Sequence, residues 1–196
     1  MSFNDTSSVL SFLKSRKSAS VKAMGEPGPS PADIRQILEI AVRVPDHGKL
    51  APWRFILFEG EARNRIGAEF RKRWQELHPD HGEDALKFHQ SLFLRAPVVI
   101  AVVSRAAPHP KIPQWEQTLS SAAVCMNMLF AAPALGIDAQ WQTDWPAYDE
   151  EIAKVMDLAP HERIAGFVYF GTSTIPLEDR PRPDPMTLLT RWAGRA

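Results

Sequence analysis

Cysteine is almost missing from this chain. Cys125 is the only one, so no intramolecular disulfide can form and a thiolate-rich metal site has no ligands to draw on. An excess of one charge is missing as well. Lysine and arginine together number 23, aspartate and glutamate 23, which leaves no net field to gather nucleic acid or an acidic membrane. Such a balance tolerates self-association. No apolar run reaches the ~20 residues needed to cross a bilayer, and Met1 to Asp5 lack the basic-then-apolar pattern of a secretory signal. A cytoplasmic protein with neither nucleic-acid nor membrane partners is therefore expected. Several chemical signatures are absent too: no G-x-G-x-x-G, no G-x-x-x-x-G-K-[ST], no G-x-S-x-G and no H-E-x-x-H. Glycine-cradled nucleotides, nucleophile-elbow hydrolases and helical zinc sites are not indicated.

What is present fits one globular domain spanning residues 1–196. The length allows a real core and is short for two. Six tryptophans suit interfaces and flat aromatic ligands, and 17 prolines cut the chain into short elements.

Periodicity places those elements. Asp5 to Ser15 reads as a helix with Asp5 or Thr6 as its cap. A second helix is capped by Ser30 and carries Ile34, Ile37, Leu38, Ala41 and Val42 on its apolar face until Pro45 stops it. Arg54 to Glu59 reads as a buried strand. Helical patterns follow at Glu61 to Leu77 and Glu83 to Leu94, split by the turn from His78 to Gly82. Pro97 to Ser104 is a β-branched central strand. Pro113 opens a long helix to about Leu135, with Gly136 as its C-cap and Pro133 disturbing its last turn. Ala139 to Thr143 is a short strand, Tyr148 to Met156 a helix and Arg163 to Gly171 the last strand, before a proline-rich tail. Strands and helices mix without strict alternation, so an α+β domain is expected.

Four stretches carry candidate chemistry. Arg16-Lys17-Ser18 combines two cations with a hydroxyl, the set that holds a phosphate monoester. Taken alone, it reads more simply as basic residues complementing a helix C-terminus. From Arg43 to Trp53, a helix stop leads through a short turn into a strand, grouping Arg43, His47 and Lys49. Such donors serve the polar edge of a planar ligand, and most of all a reduced flavin, which gains negative charge there; a helix stop with polar residues at the surface and Trp53 packed in the core is the alternative. Gln140-Trp141-Gln142-Thr143 could bond a ligand edge or face solvent from an edge strand. Arg180-Pro181-Arg182 could reach a phosphate or form a solvated arm. His78 and His81 have no further local ligand, and Cys125 sits among apolar neighbours as a core thiol; no metal site is expected.

The order of these pieces resembles the FMN-dependent nitroreductase family, particularly its minimal members, over nearly the whole chain. The family's basic-basic-Ser triplet is Arg16, Lys17 and Ser18. The R-x-P-D-H turn and following P-W are Arg43, Pro45, Asp46, His47, Pro52 and Trp53. Pro113-Gln114-Trp115-Glu116 and the run from Gly166 to Thr172 also look like this subgroup. The resemblance implies a nitroreductase-like fold, a central, mostly antiparallel sheet flanked by helices, in an intertwined homodimer with FMN at its interface. One subunit would supply Arg16, Lys17, Ser18, Trp141, Gln142 and Thr143, and its partner Arg43 and His47. It implies hydride transfer from NADH or NADPH through the flavin to a nitroaromatic, quinone-like or other small acceptor. The cofactor would carry the chemistry, so no catalytic acid or base is assigned. A non-catalytic FMN carrier or sensor is the alternative. Two positions depart from the pattern: Ser20 stands where larger relatives have lysine, and Gln142 where related minimal sequences can have arginine. Both remove positive charge near the flavin.

Overall fold

The computed structural model describes residues 2–194. Helix α1 spans Val9–Ser15 and is capped by Ser8, whose hydroxyl accepts the Ser11 N–H at 3.1 Å. It starts later than Asp5 or Thr6 because Asp5 is used in a turn. Its carboxylate accepts the Ser7 N–H at 2.9 Å, and its own N–H donates to Ser15 Oγ at 2.9 Å. Strand β1, Met24–Gly25, has only two residues and no periodic signal to announce it. Helix α2, Pro31–Ala41, opens on the Ser30–Asp33 capping box, with Pro31 in its first turn. Strand β2, Trp53–Glu59, and helix α3, Glu61–Leu77, follow.

Helix α4 covers only Glu83–Gln90. The expected continuation to Leu94 breaks at Ser91, whose hydroxyl donates back to the Phe88 carbonyl at 2.8 Å, and a 3₁₀ turn, Leu92–Arg95, takes over. Strand β3, Val98–Ser104, is buried at every residue. Helix α5, Gln114–Ala134, runs through Pro133 and ends in a Schellman arrangement. Ile137 N–H donates to the Ala132 carbonyl at 2.9 Å and Gly136 N–H to that of Pro133 at 3.0 Å, with Gly136 at φ 76°. Strand β4, Asp138–Gln142, stops one residue short of Thr143. Helix α6 is Glu150–Val155. It begins after Tyr148 because the Asp149 carboxylate caps it, accepting from Glu151 and Ile152 N–H, while Tyr148 closes a preceding 3₁₀ turn. Strand β5, Arg163–Ser173, is the longest.

All described strand pairings are antiparallel: β2 with β3, β3 with β5, β4 with β5, and β1 with the end of β5. Residues 167–170 of β5 pair with β3 and β4 at once, so those strands flank β5 on opposite sides. The sheet is covered on both faces. One core joins Ile100, Val102, Val168 and Phe170 to Ile37 of α2 and to Val124 and Met128 of α5. The other joins Val99, Val103, Phe167 and Tyr169 to Phe70 of α3 and Phe93. The expected antiparallel sheet flanked by helices is what the chain forms. Among the described residues no helix is long and apolar enough to cross a membrane.

Candidate functional site

The basic triplet leaves α1 at its C-cap, Arg16, and is fixed from both sides. Asn4 Oδ1 accepts the Lys17 N–H at 2.8 Å. Ala19 N–H donates to the Ala139 carbonyl of β4 at 3.3 Å, and Val21 N–H to Gln140 Oε1 at 2.7 Å. The stretch just after the triplet therefore lies beside β4, with Ala19 against Ala139 and Val21 against Gln140, and Lys17 and Ser18 share a cleft with Gln140. Arg16 donates to Ser18 Oγ at 3.2 Å. Burial, and next the positive charges of Arg182 and Arg180, push the Arg16 guanidinium below its ordinary pKa. The tail has thus brought two further arginines to the triplet. Among the described residues no carboxylate pairs with Arg16 or Arg180, and Arg182 meets only Asp179 at 3.3 Å. A gathering of like charges with too few counter-charges suits a multiply charged anion.

Strand alternation divides β4 by face. Ala139 and Trp141 lie with the α5 core, and the Trp141 indole rests on Gly166, where no side chain intervenes. Gln140 and Gln142 take the opposite face. Gln140 is occupied as an acceptor, whereas the side chains of Trp141, Gln142 and Thr143 make no hydrogen bond to another described residue. Lys17, Ser18, Ser20, Gln140, Ser173 and one carboxylate, Glu178, line a cleft of about 270 Å³. Ser20 also caps the 3₁₀ turn Val21–Ala23, accepting the Lys22 N–H at 3.3 Å.

Arg43 and His47 lie elsewhere. Pro45 is tied to α5, its carbonyl accepting from Ser120 Oγ at 2.6 Å. The Asp46 carboxylate accepts from Leu50 and Ala51 N–H at 3.0 and 2.9 Å, holding a loop in which Gly48, Lys49 and Ala51 all have positive φ. Trp53 anchors the loop in the core. Arg43 is exposed with no side-chain partner among the described residues. His47 Nδ1 meets Glu116 Oε2 at 2.7 Å. Asp46, which holds the loop, and Glu116, which meets His47, were quoted within motifs in the sequence but assigned no role.

Both groups attach to α5, but at opposite ends. His47 reaches Glu116, whereas Phe12 of α1 packs edge-on to Phe130. Those two helix positions are 14 residues apart, about 21 Å. One chain therefore presents two separate donor sets.

A larger cavity of about 520 Å³ lies between α6 and the start of β5. Most of its acids and bases are already engaged: Asp149 with Arg73 at 3.0 Å, Glu162 with Arg54 at 2.7 Å and Lys154 with Glu151 at 2.6 Å. Arg163 donates to the Pro160 and Glu162 carbonyls at 2.7 Å, while Glu150 has no ion pair among the described residues. It offers a ligand less unpaired charge than the arginine cluster does. Cys125 is buried and its thiol is pushed up to about 12 by desolvation, so it supplies no nucleophile.

The nitroreductase family model matches residues 13–172. YdjA of Escherichia coli (strain K12), whose name proposes an NAD(P)H nitroreductase, is 30% identical over 182 residues, 92% of this chain and 97% of the relative. Among solved structures, a nitroreductase-like family protein from Bacillus cereus superposes with a TM-score of 0.80 at 19% identity, covering 96% of this chain and 97% of that one. A nitroreductase from Bacteroides fragilis with bound FMN gives 0.64 at 20% identity, covering 89% and 94%. At these identities the two structures bear on the fold.

Proposed function

The chain belongs to the nitroreductase family, and on that premise we propose that it is a cytoplasmic FMN-dependent oxidoreductase that uses NADH or NADPH to reduce small acceptors, nitroaromatic or quinone-like compounds among them. The observation that carries this reading is the arginine cluster beside β4. Arg16, Arg180 and Arg182 converge, and among the described residues Asp179, at Arg182, is the one carboxylate paired with any of them. A phosphate monoester fits there, with Arg16, Lys17 and Ser18 holding its oxygens and the tail arginines adding charge. Trp141 walls the adjoining space, and Gln142 and Thr143 bond a ring edge. FMN is the group with both a phosphate and such a ring, and when bound it supplies the hydride relay between nicotinamide and acceptor.

The second donor set, Arg43 and His47, completes the site from another copy of the chain. Its separation from the first along α5 favours this, and so does exposed apolar surface. Val9 and Leu10 of α1, Trp115 and Leu119 of α5 and Trp192 of the tail are all exposed, a quantity of apolar surface that asks for a partner. In a homodimer each flavin would take its phosphate from one subunit and its polar ring edge from Arg43 and His47 of the other. With Ser20 used as a cap and Gln142 neutral, Arg43 carries most of the positive charge offered to the reduced ring, and His47 adds a polar contact.

Anaerobic addition of NADH or NADPH to the FMN-loaded protein should bleach its absorbance near ~450 nm, and a nitroaromatic or quinone should restore it. Bound FMN that stays yellow under excess of both nicotinamides would overturn the enzymatic reading in favour of a carrier or sensor. Arg16→Ala should weaken FMN binding about tenfold or more, the loss of a charge-assisted hydrogen bond. Unchanged affinity would remove Arg16 from the phosphate site.

A further inference from the structure

His47 is held by a carboxylate that comes from a distant part of the chain. Its Nδ1 lies 2.7 Å from Glu116 Oε2, across 69 residues of sequence. An ionised carboxylate accepts and does not donate, so the hydrogen in this bond is on Nδ1. The other ring nitrogen, Nε2, then carries a lone pair when the imidazole is neutral and an N–H when it is protonated. The side chain is largely exposed, which leaves Nε2 available to a ligand.

The surroundings fix both halves of the pair on one helix. Pro45, two residues before His47, is bonded to Ser120 of α5. Asp46, immediately before it, holds the loop closed through two backbone N–H groups. Glu116 stands in the first turn of α5, where the helix dipole favours a negative charge, and Ser120 follows one turn later. Ring and carboxylate therefore keep their relative position through α5.

We propose that Glu116 is a positioning residue for the cofactor: it holds His47 with its hydrogen on Nδ1, so that Nε2 is the nitrogen presented to the flavin ring. This rests on reading His47 as a flavin contact. The polar edge of the isoalloxazine has one N–H, at N3, between two carbonyl oxygens, and an Nε2 lone pair is its complement. On protonation the same nitrogen becomes a donor toward the negative charge that reduction places at N1 and its neighbouring carbonyl. An imidazole without Glu116 is free to put its hydrogen on Nε2 and lose the acceptor. At metal sites, partners that fix a histidine's tautomer are worth about ten- to a hundredfold in metal affinity or activity.

Glu116→Gln is the discriminating variant, because the amide offers an acceptor and a donor at the same size and pairs with either tautomer. ¹⁵N NMR of the FMN-free protein, recorded where the ring is neutral, should show His47 protonated on Nδ1 in the native chain and mixed in Glu116→Gln. FMN affinity, read from flavin fluorescence quenching, should fall about tenfold in Glu116→Gln. The Glu116→Gln/His47→Ala double variant should bind no more weakly than His47→Ala alone. A native His47 protonated on Nε2, or effects of the two substitutions that multiply, would overturn the role of Glu116. His47→Ala binding FMN as tightly as the native protein would overturn the flavin contact itself, and the proposal with it. Should Glu116→Gln fail to fold, the tautomer in the native protein decides.

Discussion

Single residues carry sharp consequences where burial meets charge or close packing. The Glu162 side chain is 6% exposed, accepts from Arg54 Nε and Nη2 at 2.8 and 2.7 Å and from Ala159 N–H at 3.0 Å. Arg54 holds its carboxyl down to about 2, against an ordinary 4.5. With the folded-state value lowered, the ionised group stabilises the fold above pH 4.5, and that contribution is lost as the pH falls from about 4.5 toward 2. Glu162→Gln leaves Arg54 without its counter-charge and should cost about 3 kcal/mol. An unchanged denaturant midpoint at pH 7 would refute the assignment. At Gly166 an added methyl would overlap the Trp141 indole. Gly166→Ala should displace that ring and weaken FMN binding about tenfold, roughly 1.4 kcal/mol. A folded Gly166→Ala that binds FMN as before would remove Trp141 from the cofactor wall. Neither contact is legible in sequence: Arg54 and Glu162 are 108 residues apart, and a glycine in a strand does not say what lies over it.

At the scale of elements, α3, α4 and the 3₁₀ turn at Trp145 meet in a cluster of indoles and imidazoles. Trp74 stacks on His89 with ring centroids 3.5 Å apart. Trp74 Nε1 donates to His81 Nδ1 and Trp145 Nε1 to His89 Nδ1, each at 3.1 Å. The turn from His78 to Gly82 is largely exposed, with the His78 and His81 rings set against Trp74. Desolvation lowers the His89 pKa; Asp144 opposes the shift, while Arg95, His78 and His81 add to it. A protonated Nδ1 can no longer accept from an indole. Because the folded-state value is lowered, the unfolded chain binds more protons, so stability is full above the ordinary 6.5 and declines as the pH drops through the lowered value. Denaturant midpoints should therefore fall between pH 7.5 and 5, well above the range of Glu162, with a change in tryptophan emission. His89→Gln should flatten the dependence. A flat profile in the native protein would show that these bonds contribute nothing to stability.

For the whole molecule the prediction concerns assembly. Leu10 and Leu13 are exposed on α1, although their helical spacing marks them as an apolar face. Among the described residues, Phe12 of that face packs on an aromatic partner, Phe130. Sedimentation should show a homodimer, and Leu10→Glu with Leu13→Glu should yield monomers that lose FMN in the same step. Monomers retaining native FMN affinity would end the two-subunit site.

The sequence by itself determined the secondary structure of most segments and the family, because both are local. Apolar spacing marks helices and strands, as from Glu61 to Leu77 and from Val98 to Ser104. The motif string from Arg43 to Trp53 is contiguous, so it could be read without a fold. Boundaries slipped where a side chain intervened, as Ser91 and Asp149 did. Tertiary structure alone decided which charges are neutralised and which stay free. Among the described residues Arg54 is paired and Arg43 is not, and Gln140 is occupied while Gln142 is open. It alone carried Arg180 and Arg182 back to Arg16, set Glu116 against His47 and put the two donor sets at opposite ends of one helix. The physical reason is that periodicity records which face of an element is apolar, whereas pairing depends on which elements that apolar surface draws together.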